Sequence, residues 1–100
     1  MDNYSNEERI ELAQSLDRLI RTNPDFIKVF LQDYQEKFVL GLVKDLARYD
    51  ANHPDYANTI RKIEAVSLFN TYINDVIEQG QSARDDLDYL SRTPDNLSHL

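Results

Sequence analysis

Apolar residues recur at helical spacing from the first turn of the chain. Behind Ser5, the positions Ile10, Ala13, Leu16, Leu19 and Ile20 fall on one side, while Glu7, Glu11, Asp17, Arg18 and Arg21 fall elsewhere. That period predicts an amphipathic helix over about residues 6–21. Ser5-Asn6-Glu7-Glu8 stands ahead of it as a capping box, in which hydroxyl and carboxylate each cover a free backbone N–H.

A second run starts at Pro24 and carries Phe26, Ile27, Val29, Phe30, Leu31 and Tyr34. The polar stretch around Gln32-Asp33 and Gln35-Glu36-Lys37 predicts a short helix to about Gln32, a bend, and a further helix from about Asp33 to Tyr49. Within it, Phe38-Val39-Leu40-Gly41-Leu42-Val43 is apolar around most of the circumference, the pattern of a helix covered from more than one side. Gly41 is either a point of close helix approach or a weak spot costing about 1 kcal/mol relative to Ala. Asp50-Ala51-Asn52-His53 reads as a loop.

The third run has a heptad register. Val66, Ile73, Gly80 and Leu87 are seven apart, and so are Phe69, Val76, Ala83 and Leu90. A glycine after Ile77-Glu78-Gln79 would ordinarily signal a helix end with a restart at Ser82. The register passes through it unbroken, which predicts one helix from about Asp55 to Ser91, extending about 55 Å. The other helices cover part of that seam and leave part for a second chain or a partner. Each of the three prolines is followed by Asp, in Asn23-Pro24-Asp25, His53-Pro54-Asp55 and Thr93-Pro94-Asp95. Proline at the first helical position and an acid in the first turn both mark helix starts. The fold class is therefore all-α, a small bundle of three to four helices with a long C-terminal helix carrying a heptad seam. Residues 1–92 form one helical domain, and 93–100 a flexible tail.

Composition narrows the functional classes. The chain has 18 acidic and 11 basic residues, a net charge of −7, and no cysteine. Phosphate-backbone binding needs a basic surface, so direct nucleic-acid binding is not expected. A cluster formed by Arg18, Arg21, Lys28, Lys44, Arg48, Arg61 and Lys62 near the helix connections is the thin argument for it. No run approaches the roughly 20 apolar residues of a membrane span, and Met1-Asp2-Asn3-Tyr4-Ser5 is not a secretion signal. A cytoplasmic, non-membrane protein is expected.

No catalytic constellation is legible. His53 and His99 sit in a loop and in the tail, without converging ligands. There is no Glu-x-x-His for a di-metal bundle and no glycine-rich phosphate loop. The acidic groups Glu7-Glu8 with Glu11, and Asp85-Asp86 with Asp88, read as solvated helix faces beside Arg9 and Arg84. No catalytic, cofactor-binding or metal-binding residue is assigned, no cofactor or small-molecule substrate is expected, and the chain is read as a non-enzyme.

The segment Asn23 to Tyr34 with the following Phe38-Val39-Leu40-Gly41-Leu42-Val43, and the long helix over Ile60 to Glu78, resembles small all-helical accessory and structural proteins of tailed bacteriophages. The resemblance spans residues 23–80, rests on apolar positions, and carries no catalytic residue. It implies a virion-assembly or packaging role, or a host-directed accessory role, with the virion or host cytoplasm as location.

The residues themselves predict a non-enzymatic protein–protein interaction component that forms homo-oligomers or binds another protein. Its interface candidates are Phe38, Leu42, Val66, Phe69, Tyr72, Ile73, Val76, Ala83, Leu87 and Leu90. The alternative is an acidic host-directed inhibitor that mimics nucleic acid through Asp75, Glu78, Asp85, Asp86 and Asp88. The tyrosines Tyr34, Tyr49, Tyr56, Tyr72 and Tyr89 suit either half-buried interface positions or the rim of an internal core.

Overall fold

The computed structural model describes the backbone of residues 3–98 and the side chains of residues 3–91. It is all-α, with α1 (Asn6–Thr22), α2 (Pro24–Phe26), a π-helical stretch (Ile27–Phe38), α3 (Val39–Arg48) and α4 (Pro54–Ser98), and no strand among the described residues.

Helix starts follow the local chemistry of the sequence. The Glu8 N–H donates to Ser5 Oγ at 3.2 Å and the Ser5 N–H donates to Glu8 Oε1 at 3.4 Å, so the capping box is formed in both directions. Asn23 is extended (φ −125°, ψ 90°), and its Oδ1 accepts from the Phe26 N–H at 3.1 Å. In front of Pro54 the cap is a histidine: His53 Nδ1 accepts from the Asp55 N–H at 3.0 Å. A neutral imidazole offers one nitrogen as acceptor, and here it takes the position Asn or Ser usually fills.

The bend expected near Gln32-Asp33 is absent. The backbone stays right-handed helical at Phe26 and Val39, the two ends of the π-helical stretch, so the run from Pro24 to Arg48 is unbroken. Ile27, Leu31, Gln35 and Val39 are half-buried at every fourth residue. On an α-helix such a stripe would drift around the axis; the wider turn of i→i+5 bonding holds it on one side. Gln32, Asp33, Glu36 and Lys37, whose polarity suggested a break, are the exposed face of this wider helix.

Nor is α3 covered from several sides. Leu42 is buried and Val39 and Leu46 are half-buried, but Leu40 and Val43 are exposed on the opposite face. Tyr49 leaves the helical region (φ −94°, ψ 137°) and ends the helix, and a short turn closes with the His53 N–H donating to the Asp50 carbonyl at 2.8 Å.

The heptad register of α4 is its inward face. Val66, Val76, Gly80 and Ala83 are buried and Phe69, Ile73 and Leu87 half-buried, with Thr59 buried one heptad upstream; only Leu90 of the predicted seam is exposed. The helix passes through Gly80 without a break. It also carries through Thr93-Pro94-Asp95 to Ser98, so that sequence does not start a new helix, and residues 93–98 extend α4 where a tail was expected. The last two positions of the expected tail, with His99, lie outside the described residues.

Two compact units are formed, Met1–Leu19 with Ile73–Leu100, and Ile20–Tyr72. In the first, α1 turns Ile10, Ala13 and Leu16 inward, and a Cβ built on Gly80 would fall inside the van der Waals shell of Ala13 Cβ and 3.3 Å from the Arg9 carbonyl oxygen. In the second, the Phe30 ring lies 6.0 Å from Phe69 and the Tyr34 ring meets Phe69 edge-on at 5.6 Å. The Phe30 pair is tilted by 31°, and the edge-on approach of Tyr34 suits the aromatic quadrupole.

Candidate interaction surfaces

The buried apolar side chains are few: Leu42 and Val66 in the unit of residues 20–72, Val76 and Ala83 among the described residues of the other. Against two buried apolar side chains, the unit of residues 20–72 exposes seven large ones: Val29, Phe30, Phe38, Leu40, Val43, Leu68 and Tyr72. Leu68 is 70% exposed and Leu40 55%. Single exposed leucines are ordinary, so the arrangement of several along one helix is more informative than any one of them. Leu40, Val43 and Ala47 are such a series, three and four apart on the outer face of α3.

The predicted interface residues therefore separate into two groups. Leu42, Val66, Val76 and Ala83 are buried within their own chain, and Phe69, Ile73 and Leu87 are half-buried, so most of the heptad seam is satisfied internally. Phe38, Tyr72 and Leu90 remain exposed and available. Leu40, Val43 and Leu68 were missed because they lie off the seam. The circumferentially apolar Phe38–Val43 run was the signal that could have found Leu40 and Val43; Leu68 had none.

Charge is divided between the units. Residues 20–72 hold seven Lys or Arg and seven Asp or Glu, and are neutral. The remaining segments hold four against eleven, so the whole net charge of −7 belongs to the other unit. Asp75, Glu78, Asp85, Asp86 and Asp88 all lie there, exposed on the outer side of α4. The Gln81 amide donates to Asp85 Oδ1 at 3.2 Å. Arg18 belongs to the acidic unit, while Arg21, Lys28, Lys44, Arg48, Arg61 and Lys62 belong to the neutral one, where carboxylates balance them.

The neutral unit has two polar grooves. One, of about 380 Å³, is lined by Asp45, Tyr49, Asp55, Asn58, Arg61 and Lys62, above the buried Thr59. Arg61 Nη1 donates to Asn58 Oδ1 at 3.0 Å. His53 lies nearby but is committed: its Nδ1 caps α4 and its ring stacks on Tyr49 at 4.8 Å. The other groove, of about 450 Å³, runs between Gln35, Val39, Ile63 and Asn70, and Gln35 Nε2 is buried beside it without a hydrogen-bond partner. Among the described residues no three His, Asp or Glu side chains gather as a metal site. No helix among them is long and apolar enough to cross a membrane.

Of the tyrosines, Tyr34, Tyr49 and Tyr56 are half-buried at the rim of the internal packing, whereas Tyr72 and Tyr89 are exposed. No protein-family model, no curated protein and no solved structure matches the chain. Its function must be argued from these surfaces alone.

Proposed function

We propose that this protein is a non-enzymatic helical interaction component that self-associates through the exposed apolar surface of residues 20–72. The observation that carries this is the imbalance in that unit between two buried and seven exposed large apolar side chains. Each large apolar side chain moved from water into a packed interface contributes roughly 1.5–3 kcal/mol. Within that unit the basic and acidic residues balance, so a copy seated on its surface meets no local excess of like charge. The phage resemblance of residues 23–80 suggests virion assembly or packaging as the setting.

A second reading is favoured by the confinement of the −7 charge to one unit. An acidic helix face with exposed Asp75, Glu78, Asp85, Asp86 and Asp88 offers a basic partner the charge pattern of a nucleic acid. In that case the protein is a host-directed inhibitor.

Light scattering of the purified protein separates them. A solution mass above the monomer, reduced when Leu40 and Val43 are both replaced by Asp, supports self-association. A monomer at every concentration reached refutes it and favours a heterologous basic partner.

A further inference from the structure

The outer face of α3 and the outer face of α4 beyond Tyr72 differ in charge and match in spacing. On α3, Leu40, Val43, Lys44 and Ala47 are exposed, with Lys37 one turn earlier. On α4, Ile77, Glu78, Gln81, Ser82 and Asp85 are exposed, opposite the buried line of Val76, Gly80 and Ala83. Lys37 and Lys44 are seven residues apart, and so are Glu78 and Asp85. Seven residues are two helical turns, about 10.5 Å. Among the described residues, Lys37, Lys44 and Glu78 meet no oppositely charged group of their own chain.

We infer that a second copy of this chain docks head to tail, laying the α3 face of one molecule on the acidic α4 face of the next. This rests on the self-association proposed above and specifies its geometry. In an antiparallel pairing, Lys37 stands opposite Asp85 and Lys44 opposite Glu78. Leu40 then lies over Ser82, whose small side chain leaves room for it, and the Val43–Ala47 end approaches Ile77. Gly41, which has nothing within 4 Å of a built Cβ, lets the second helix approach the flank of that contact.

Symmetric alternatives are disfavoured by charge. The α3 face against its own copy brings Lys37 and Lys44 of both molecules together, and the α4 face against its own copy gathers Glu78 and Asp85. Such like-charge juxtaposition costs several kcal/mol, whereas complementary faces set register and speed encounter. A heterologous contact of this kind uses the α3 face of one molecule and the α4 face of the other and leaves one face of each type free on the pair, so assembly proceeds to a closed ring or an open filament.

The test uses two charge-reversal variants of the full chain, Lys37→Glu/Lys44→Glu and Glu78→Lys/Asp85→Lys, in light scattering at low salt. All four positions are exposed, and helix content by circular dichroism verifies folding. Each variant alone is expected to fall to the monomer mass, with association weakened roughly tenfold or more. An equal mixture is expected to recover the wild-type mass, because each reversed face then meets an oppositely charged one. Self-association of either variant at wild-type strength overturns head-to-tail docking while leaving the proposed function standing. Failure of the mixture to recover does the same. A monomeric wild type overturns both.

Discussion

Replacing Gly80 by alanine adds one methyl group where α4 packs against Arg9 and Ala13 of α1, and the same change at Gly41 adds it to open space. On an isolated helix both substitutions stabilise, since glycine is about 1 kcal/mol less favourable than alanine in a helix interior. At Gly41 a new Cβ has nothing within 4 Å, so that gain should appear nearly whole. At Gly80 the Cβ overlaps Ala13 Cβ and lies 3.3 Å from the Arg9 carbonyl oxygen. Neither obstacle is the free end of a flexible side chain, so the helices must separate. That disturbs the packing of Val76 and Ala83, 2% and 0% exposed, on the same face. Overpacking of this kind costs about 1–3 kcal/mol. Set against the propensity gain, Gly80→Ala should lie between neutral and about 2 kcal/mol destabilising, and Gly41→Ala should stabilise by about 0.5–1 kcal/mol. For a domain of this size each kcal/mol moves Tm by roughly 4–8 °C. Thermal unfolding followed by circular dichroism, at one fixed protein concentration because self-association is linked to folding, gives both signs. Ala13→Gly in the Gly80→Ala background removes the opposing methyl, so the double mutant should be more stable than the sum of the single effects. Equal stabilisation by Gly80→Ala and Gly41→Ala would refute the close contact of α1 with α4.

Substitutions at three further positions probe the unit of residues 20–72. His53→Ala removes the acceptor that caps α4 and should lower stability by about 0.5–2 kcal/mol in a thermal melt, while His53→Asn should restore most of the loss. Val66→Ala, at a position 3% exposed, should cost about 1–3 kcal/mol in chemical denaturation. Leu68→Ala, two residues on and 70% exposed, should stay within about 0.5 kcal/mol.

Much of this architecture was legible because helical burial is written at short range. The capping box at Ser5 and the α1 stripe involve residues three or four apart, so their positions follow from local spacing. The heptad of α4 was equally direct: a register that survives Gly80 requires one helix, and its positions are the ones that turn inward. The π-helical stretch was not legible. Its half-buried positions Ile27, Leu31, Gln35 and Val39 are four apart, a spacing an ordinary α-helix also uses, so nothing in it marks the wider turn, and the polar residues between suggested a bend. Gly41 and Gly80 show the same limit from the other side. Both lie inside helices, and only the tertiary neighbours of Gly80 distinguish a close contact from open space.

The interface candidates expose the boundary between what periodicity and packing each decide. Periodicity identifies a face that must be covered but not what covers it. For the heptad seam the cover is intramolecular, so Val66, Val76 and Ala83 contribute to the chain's own core. The Phe38–Val43 run poses the opposite case, because a helix apolar around its circumference packs one side internally and still offers another. Leu42 takes the inner side of α3, and Leu40 and Val43 remain outside. A 100-residue chain has little volume in which to hide a second apolar face. In the self-association proposed above, charge would direct the approach of a second molecule: the unit carrying the surplus apolar surface is the neutral one, and the acidic excess lies on the other. The features that make α3 a weak element of a monomer core are thus the ones that suit it to a contact between copies.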